Sequence, residues 1–250
     1  LYARTDKLFV KRFEEETNLR CQLVLDRSSS MYFPIQKKLN SKSPNKIGFS
    51  ILASAALMNL FRRQRDAVGL SVYSDIVHTH TRTRTNLAHH KSLLWELESL
   101  AKPFNNRSKE SSCAVEALHE IAERIHQRSL VILFSDLLDT QDNAQDFFSA
   151  LQHLKYNKHE VIVFHVVDRS LELNFEFDAS LHKFIDLESG EELKVNPVEL
   201  KDEYVTQMTS FEHELKVRCS QYKIDFIPID CMKGIESVLI SYLVKRKKLY

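Results

Sequence analysis

The stretch that determines the fold is Leu23–Met31, with the sequence LVLDRSSSM. It begins in a short apolar run, which predicts a buried β-strand, and the run ends at Asp26. Directly after this strand, Asp26, Ser28 and Ser30 form the pattern D-x-S-x-S. Their side chains offer one carboxylate and two hydroxyl oxygens, which are the hard oxygen ligands that Mg²⁺ prefers. The ordinary alternative is that these residues cap the N-terminus of a helix.

A second predicted strand also ends in an aspartate. Leu130–Asp139 has the sequence LVILFSDLLD, a continuous apolar run that leads into Asp136. Two such strands predict one site at the carboxyl edge of a parallel sheet, because open α/β sheets bind ligands at that edge. Asp139 and Asp168 are alternatives for a further acidic contact, although exposed loop carboxylates are the ordinary interpretation of both.

Strands and helices alternate along the whole chain. Helical spacing of apolar residues or a capping residue predicts helices at 46–63, 85–100, 116–125, 142–156, 197–222 and 234–250. Further strands are predicted at 7–13, 19–25, 66–73, 76–81, 159–167 and 223–229, with a small β excursion near 175–197. This alternation predicts an α/β fold, a mostly parallel sheet with helices on both faces. The strands at 19–25, 130–135 and 161–167 are expected to be central neighbours, and residues 1–250 are expected to form one domain.

Composition excludes several classes of protein. With 250 residues, 43% of them hydrophobic, and a net charge of +1, the chain can build a full core but lacks the basic footprint of a nucleic-acid scaffold. Its four cysteines have no C-x-x-C spacing, which fits a reducing, cytoplasmic location. No apolar run approaches the roughly 18 residues that span a bilayer. The four glycines do not cluster, which excludes a P-loop, a dinucleotide-binding turn and a nucleophile elbow.

Two other features of the sequence have competing interpretations. His78 and His80 share a strand face, and His89 and His90 are adjacent, but no cysteine or carboxylate cluster accompanies either pair as zinc ligands would require. Solvated histidines are therefore the expected interpretation. The basic run at 245–248 has the composition of a membrane or nucleic-acid patch, but it lies at a helix C-terminus, where cations are favoured on electrostatic grounds alone.

Several segments resemble one family of bacterial proteins. Tyr2–Glu16, Leu25–Met31, Phe134–Asp139 and Phe184–Glu191 are similar to the MoxR-associated von Willebrand factor A-like proteins, also known as domain of unknown function number fifty-eight. The resemblance covers the whole chain and implies a Rossmann-like, von Willebrand factor A-type fold. Members normally carry a further N-terminal stretch, and since this chain opens at Leu1 in mid-pattern, a preceding piece is expected.

The resemblance also implies a site and a partner. Asp26, Ser28, Ser30 and Asp136 match the metal-ion-dependent adhesion site of von Willebrand factor A domains, which takes Mg²⁺ or Mn²⁺. The family site includes a threonine from a loop between the two strands. Ser112 falls at its position here and keeps the hydroxyl but not the methyl group. The implied function is a metal-dependent interaction module, without turnover of its own, that acts with a MoxR-type AAA+ ATPase or the client of that ATPase.

An enzymatic alternative uses the same carboxylates. A Mg²⁺ ion held by Asp26 and Asp136 could orient a phosphate for hydrolysis. Against this, position 28 is serine and not the second aspartate of D-x-D phosphatases. In the two motif loops, Arg27 is the one basic residue that could act as an electrophile.

Overall fold

The computed structural model describes residues 19–36, 40, 42–102, 114–126, 128–138, 140–186 and 191–249. Within these ranges, eight segments with apolar or alternating patterns form strands. The strand predicted at 7–13, Ser112 and Asp139 lie outside these ranges. The strands are β1 (Arg20–Asp26), β2 (Ala67–Tyr73), β3 (Val77–His80), β4 (Leu130–Ser135), β5 (Glu160–Val167), β6 (His182–Ile185), β7 (Glu192–Val195) and β8 (Asp225–Asp230).

Six α-helices occur in the described residues, and each lies close to its predicted position. The first begins directly after Asn45, whose side chain accepts a hydrogen bond from Gly48 N and so caps the helix. Asn86 caps the second helix in the same way. The helices are α1 (Lys46–Arg63), α2 (Leu87–Leu100), α3 (Ala114–Arg124), α4 (Thr140–Tyr156), α5 (Pro197–Gln221) and α6 (Glu236–Leu249).

The strands form two sheets. The larger sheet has the order β3-β2-β1-β4-β5-β8, in which β3 pairs antiparallel with β2 and all other pairs are parallel. β1, β4 and β5 are therefore central neighbours, as predicted, and their carboxyl ends lie at one edge. The smaller sheet is the antiparallel hairpin of β6 and β7, which confirms the predicted β excursion. The arrangement is the expected Rossmann-like, von Willebrand factor A-type α/β fold.

Both faces of the large sheet are covered by helices. Leu23 and Leu25 of β1 pack in a cluster with α1, α2 and α6, whereas Val24 packs in a second cluster with α3, α4 and α5. This division follows from the two-residue period of a strand, which sends successive side chains to opposite faces. Leu133 and Val163 are fully buried beside Val24, as predicted. Among the helices of the described residues, none combines the length and apolar composition that a membrane span requires.

Candidate functional site

The loop after β1 folds back onto the last residue of the strand. Asp26 is 2% exposed, and its Oδ1 accepts a hydrogen bond from Ser28 N at 2.8 Å, which is an Asx turn. Ser28 precedes a short 3₁₀ helix, Ser29–Tyr32, but its side chain makes no capping hydrogen bond. Instead, the Ser28 hydroxyl lies 3.1 Å from the Ser30 hydroxyl. The capping alternative therefore does not account for the hydroxyl of Ser28.

A side-chain hydrogen bond links the end of β4 to the end of β1. Ser135 Oγ donates a hydrogen bond to Asp26 Oδ2 at 2.6 Å and accepts one from Leu137 N at 3.0 Å. Leu137 has a φ of 57°, in the left-handed region that non-glycine residues seldom occupy, and it is buried. This turn follows immediately after Asp136. The two predicted strand ends thus meet, and both aspartates are held by loop contacts.

Asp136 contacts the first loop and the first helix. Its carboxylate lies beside the Ser30 hydroxyl, and its Oδ1 accepts a hydrogen bond from Leu138 N at 3.3 Å. Its Oδ2 lies 2.7 Å from Lys46 Nζ, and the side chain of Lys46 is fully buried at the start of α1. The structure therefore brings Asp26, Ser28, Ser30 and Asp136 together, as predicted, and adds a buried ammonium group.

Lys46 also forms an ion pair with Glu172, which lies after β5. Glu172 is fixed in turn, because its Oε2 accepts a hydrogen bond from Asp168 N at 2.8 Å. Asp168 Oδ1 accepts a hydrogen bond from Leu171 N at 3.1 Å. Asp168 is 3% exposed, so the expectation of an exposed loop carboxylate is wrong for this residue. It caps the turn that carries Glu172.

Burial and charge move the pKa values of these groups in different directions. Burial, together with the nearby charge of Asp136, raises the pKa of Asp26 to about 6. Burial also acts to raise the pKa of Asp136, but the ammonium of Lys46 outweighs it and holds that pKa below its usual range. The pKa of Glu172 is raised by burial. Burial alone would lower the pKa of Lys46, but Asp136 and Glu172 raise it, so the ammonium stays charged.

The donor types of the site fit a hard divalent cation. Two carboxylates and two hydroxyls converge, and Mg²⁺ takes oxygen ligands of this kind. Within the described ranges, no three or more His, Cys, Asp or Glu side chains are grouped so that they could hold a metal ion. A metal at this site would therefore depend on the hydroxyls of Ser28 and Ser30. It would also need the carboxylate of Asp136, which is paired with the ammonium of Lys46 in this structure.

A family pattern matches most of the sequence. The family described as "Protein of unknown function DUF58" matches residues 1–214. The chain belongs to the DUF58 family. No curated protein matches this sequence.

Solved structures with the same fold as this DUF58 chain include two proteins from Bacteroides species. The conserved hypothetical protein BatB from Bacteroides thetaiotaomicron is 16% identical, with 93% of this chain and 100% of that chain covered and a TM-score of 0.55. An aerotolerance-related membrane protein from Bacteroides fragilis is also 16% identical, with 91% and 99% covered and a TM-score of 0.52. The VWA domain of SpRpn10 is 11% identical, with 90% and 94% covered and a TM-score of 0.42.

Sequence reasoning missed two residues of the DUF58 site, Lys46 and Glu172. One signal for Lys46 was available, because a cation in the first turn of a helix is unfavourable beside the positive end of the helix dipole. Lys46 directly follows the cap Asn45, and the first turn of α1 contains no acidic residue. A buried carboxylate from elsewhere in the chain is then the natural compensation. No comparable local signal identifies Glu172.

Three of the four histidines considered as zinc ligands have hydrogen-bonding partners within the fold. His78 Nε2 lies 2.7 Å from Ser74 Oγ, and His80 Nδ1 lies 2.9 Å from Ser71 Oγ. His89 Nε2 lies 3.0 Å from a backbone carbonyl. His78, His80 and His89 are therefore hydrogen-bonded within the hairpin of β2 and β3 and at the start of α2. His90 is 4% exposed, so the expectation of a solvated histidine is wrong for this residue.

Proposed function

We propose that this DUF58 protein is a protein-interaction module that binds its partner at the carboxyl edge of the large sheet and has no turnover of its own. The observation that carries the proposal is the convergence of Asp26, Ser28, Ser30 and Asp136 from two neighbouring strands. In open α/β sheets, this edge is where ligands bind. Loops there can vary without disturbing the core, which suits partner recognition.

The proposed module depends on Mg²⁺ or Mn²⁺. Asp26, Ser28, Ser30 and Asp136 would hold the ion, and Ser112 is the fifth proposed ligand, on a segment outside the described residues. The bound ion would supply positive charge at the surface of the loops. Mg²⁺ binds few protein carboxylates and keeps open positions, so an aspartate or glutamate of the partner can complete its shell.

The proposed partner is a MoxR-type AAA+ ATPase or a client protein of that ATPase. This part of the proposal rests on the family resemblance. It requires the partner to present an acidic residue, because a carboxylate is the group that the ion would accept. Removal of the ion and neutralisation of that residue are then expected to weaken binding alike.

The burial of Lys46 makes it unavailable as the reactive cation of a phosphohydrolase. A hydrolase needs a cation that reaches the substrate phosphate, and Lys46 is the basic residue in contact with Asp136. Its side chain is fully buried and is held by two carboxylates. It therefore cannot touch a substrate in this arrangement.

Affinity capture of a purified MoxR-type ATPase tests the proposal. Capture is compared in Mg²⁺, in Mn²⁺ and in EDTA, for the wild type, Asp26→Ala and the control Asp202→Ala, which removes an exposed carboxylate of α5. We expect EDTA and Asp26→Ala to reduce capture and Asp202→Ala to leave it unchanged. Capture that is insensitive to both EDTA and a folded Asp26→Ala variant would refute metal dependence. Phosphate release from a generic ester that is lost in Asp26→Ala would instead establish the hydrolase.

A further inference from the structure

The ammonium of Lys46 occupies a position beside Asp136 that a bound metal ion would also occupy. Its Nζ lies 2.7 Å from Asp136 Oδ2, it pairs with Glu172, and it lies 5.9 Å from the centroid of the Phe33 ring. The side chain has no exposed surface, whereas that of Glu172 is 14% exposed. A lysine is seldom fully buried unless its charge is paired. Here the charge is paired with one of the carboxylates proposed to bind metal.

We infer that Lys46 is a built-in competitor of the divalent ion, so that metal can bind Asp136 only when the Lys46 ammonium leaves Asp136 and stays with Glu172. This inference rests on the proposed function, since it concerns the same metal site. It assigns two alternative states to the site. In the closed state Lys46 neutralises Asp136, and in the open state the divalent ion does.

Electrostatics makes the two states exclusive. An ammonium and a divalent ion on the same buried carboxylate would repel each other strongly, because little solvent lies between them to screen the charges. Asp136 is 1% exposed, so the repulsion cannot be relieved by water around that carboxylate. One cation must therefore withdraw when the other binds.

Glu172 makes the withdrawal of Lys46 feasible. A lysine that left Asp136 without another partner would bury an unpaired charge, which is strongly unfavourable. Glu172 already contacts Lys46 and is itself anchored by Asp168 N. Lys46 can therefore release Asp136 and keep one carboxylate. The alternative is that the three charges form a permanent structural link between α1, β4 and the turn after β5.

Isothermal titration of Mg²⁺ and Mn²⁺ distinguishes these possibilities. The variants are Lys46→Met, the double variant Lys46→Met/Glu172→Gln, and the control Lys91→Met, which removes an exposed lysine of α2. Lys46→Met keeps the length of the side chain but removes the charge. The double variant also removes one of the two carboxylates that lose their cation, so it serves if the single variant does not fold. Circular dichroism melts establish that each variant is folded.

Competition predicts that removal of the Lys46 charge tightens binding of both ions at least about tenfold, while Lys91→Met binds as the wild type does. If the folded Lys46 variants bind the ions no more tightly than the wild type does, the inference is overturned. The proposed metal dependence would then still stand, provided that the wild type binds. Binding by the Lys46 variants alone would support the inference and refute metal dependence of the wild type. If neither the wild type nor any variant binds either ion, both proposals fail.

Discussion

Asp26 and Asp136 lie at the carboxyl ends of two neighbouring parallel strands, but their buried carboxylates have different partners. Asp136 lies 2.7 Å from the ammonium of Lys46, whereas Asp26 accepts neutral hydrogen bonds from Ser135 Oγ and Ser28 N. A carboxylate beside a cation remains ionised, and one that is buried among neutral donors near a second carboxylate resists ionisation. Their pKa values are therefore displaced in opposite directions.

The first prediction concerns the pH dependence that Asp26 gives to folding. Its pKa is about 6 in the folded protein against an ordinary value of 3.8, so between these values the folded state binds more protons than the unfolded state. Its contribution to stability is then fully present below about pH 4 and is lost as pH rises through about 6. Urea midpoints measured from pH 4 to 7 should fall less with rising pH in Asp26→Asn than in the wild type.

The exposed carboxylate of Asp202 provides the control for this measurement. Asp202→Asn should leave the shape of the pH profile unchanged, because this side chain lies on the surface of α5. A profile of Asp26→Asn parallel to that of the wild type would contradict the raised pKa of Asp26.

The second prediction concerns His165, which should act in the opposite direction. Burial lowers the pKa of His165 to about 4 from an ordinary value of 6.5, and its Nε2 donates a hydrogen bond to the carbonyl oxygen of Asp136 at 2.9 Å. Its contribution is present above about pH 6.5 and is lost as pH falls through about 4. His165→Gln should therefore lose less stability on acidification than the wild type. The same pH series measures this effect, and a steeper loss in the variant would contradict it.

The third prediction concerns the core of the central strands. Val24, Leu133 and Val163 have no exposed surface, and truncation of each to alanine should cost on the order of 2–4 kcal/mol of unfolding free energy. Val198→Ala is the matched control, because Val198 is 58% exposed and its truncation should change stability little. Equilibrium denaturation with urea measures each value. Midpoints that do not shift for the three buried sites would contradict the observed packing.

The sequence predicts the strands and the meeting of their ends, but not the ion pairs. A continuous apolar run such as β4, or the cap Asn45 before α1, acts locally and so can be recognised without the structure. Lys46 is separated from Asp136 by 90 residues and from Glu172 by 126. Such pairings depend on how α1 and the turn after β5 pack above the sheet, which no short-range pattern encodes. The hairpin of β6 and β7 and most helix ends lie within a few residues of their predicted positions, because turn and cap residues mark them.

The fourth prediction concerns the basic run at the end of α6. Arg246 forms an ion pair with Asp66, which is 1% exposed and also accepts a hydrogen bond from Leu19 N at 3.1 Å. Lys245 lies 2.8 Å from Asp225 and 2.9 Å from Glu160. These two basic residues thus have partners within the fold, which supports a structural role over a surface patch.

Arg246→Ala should destabilise the protein by about 1–3 kcal/mol, because it leaves the buried carboxylate of Asp66 without its cation. Lys247→Ala, which removes an exposed basic residue one position further along, should change stability little. Urea denaturation of the two variants makes the comparison, and flotation with vesicles that contain anionic lipid tests the rival role in the same samples. If both variants are as stable as the wild type and both lose an association with the vesicles, the basic run is a membrane patch and the ion pair with Asp66 does not stabilise the fold.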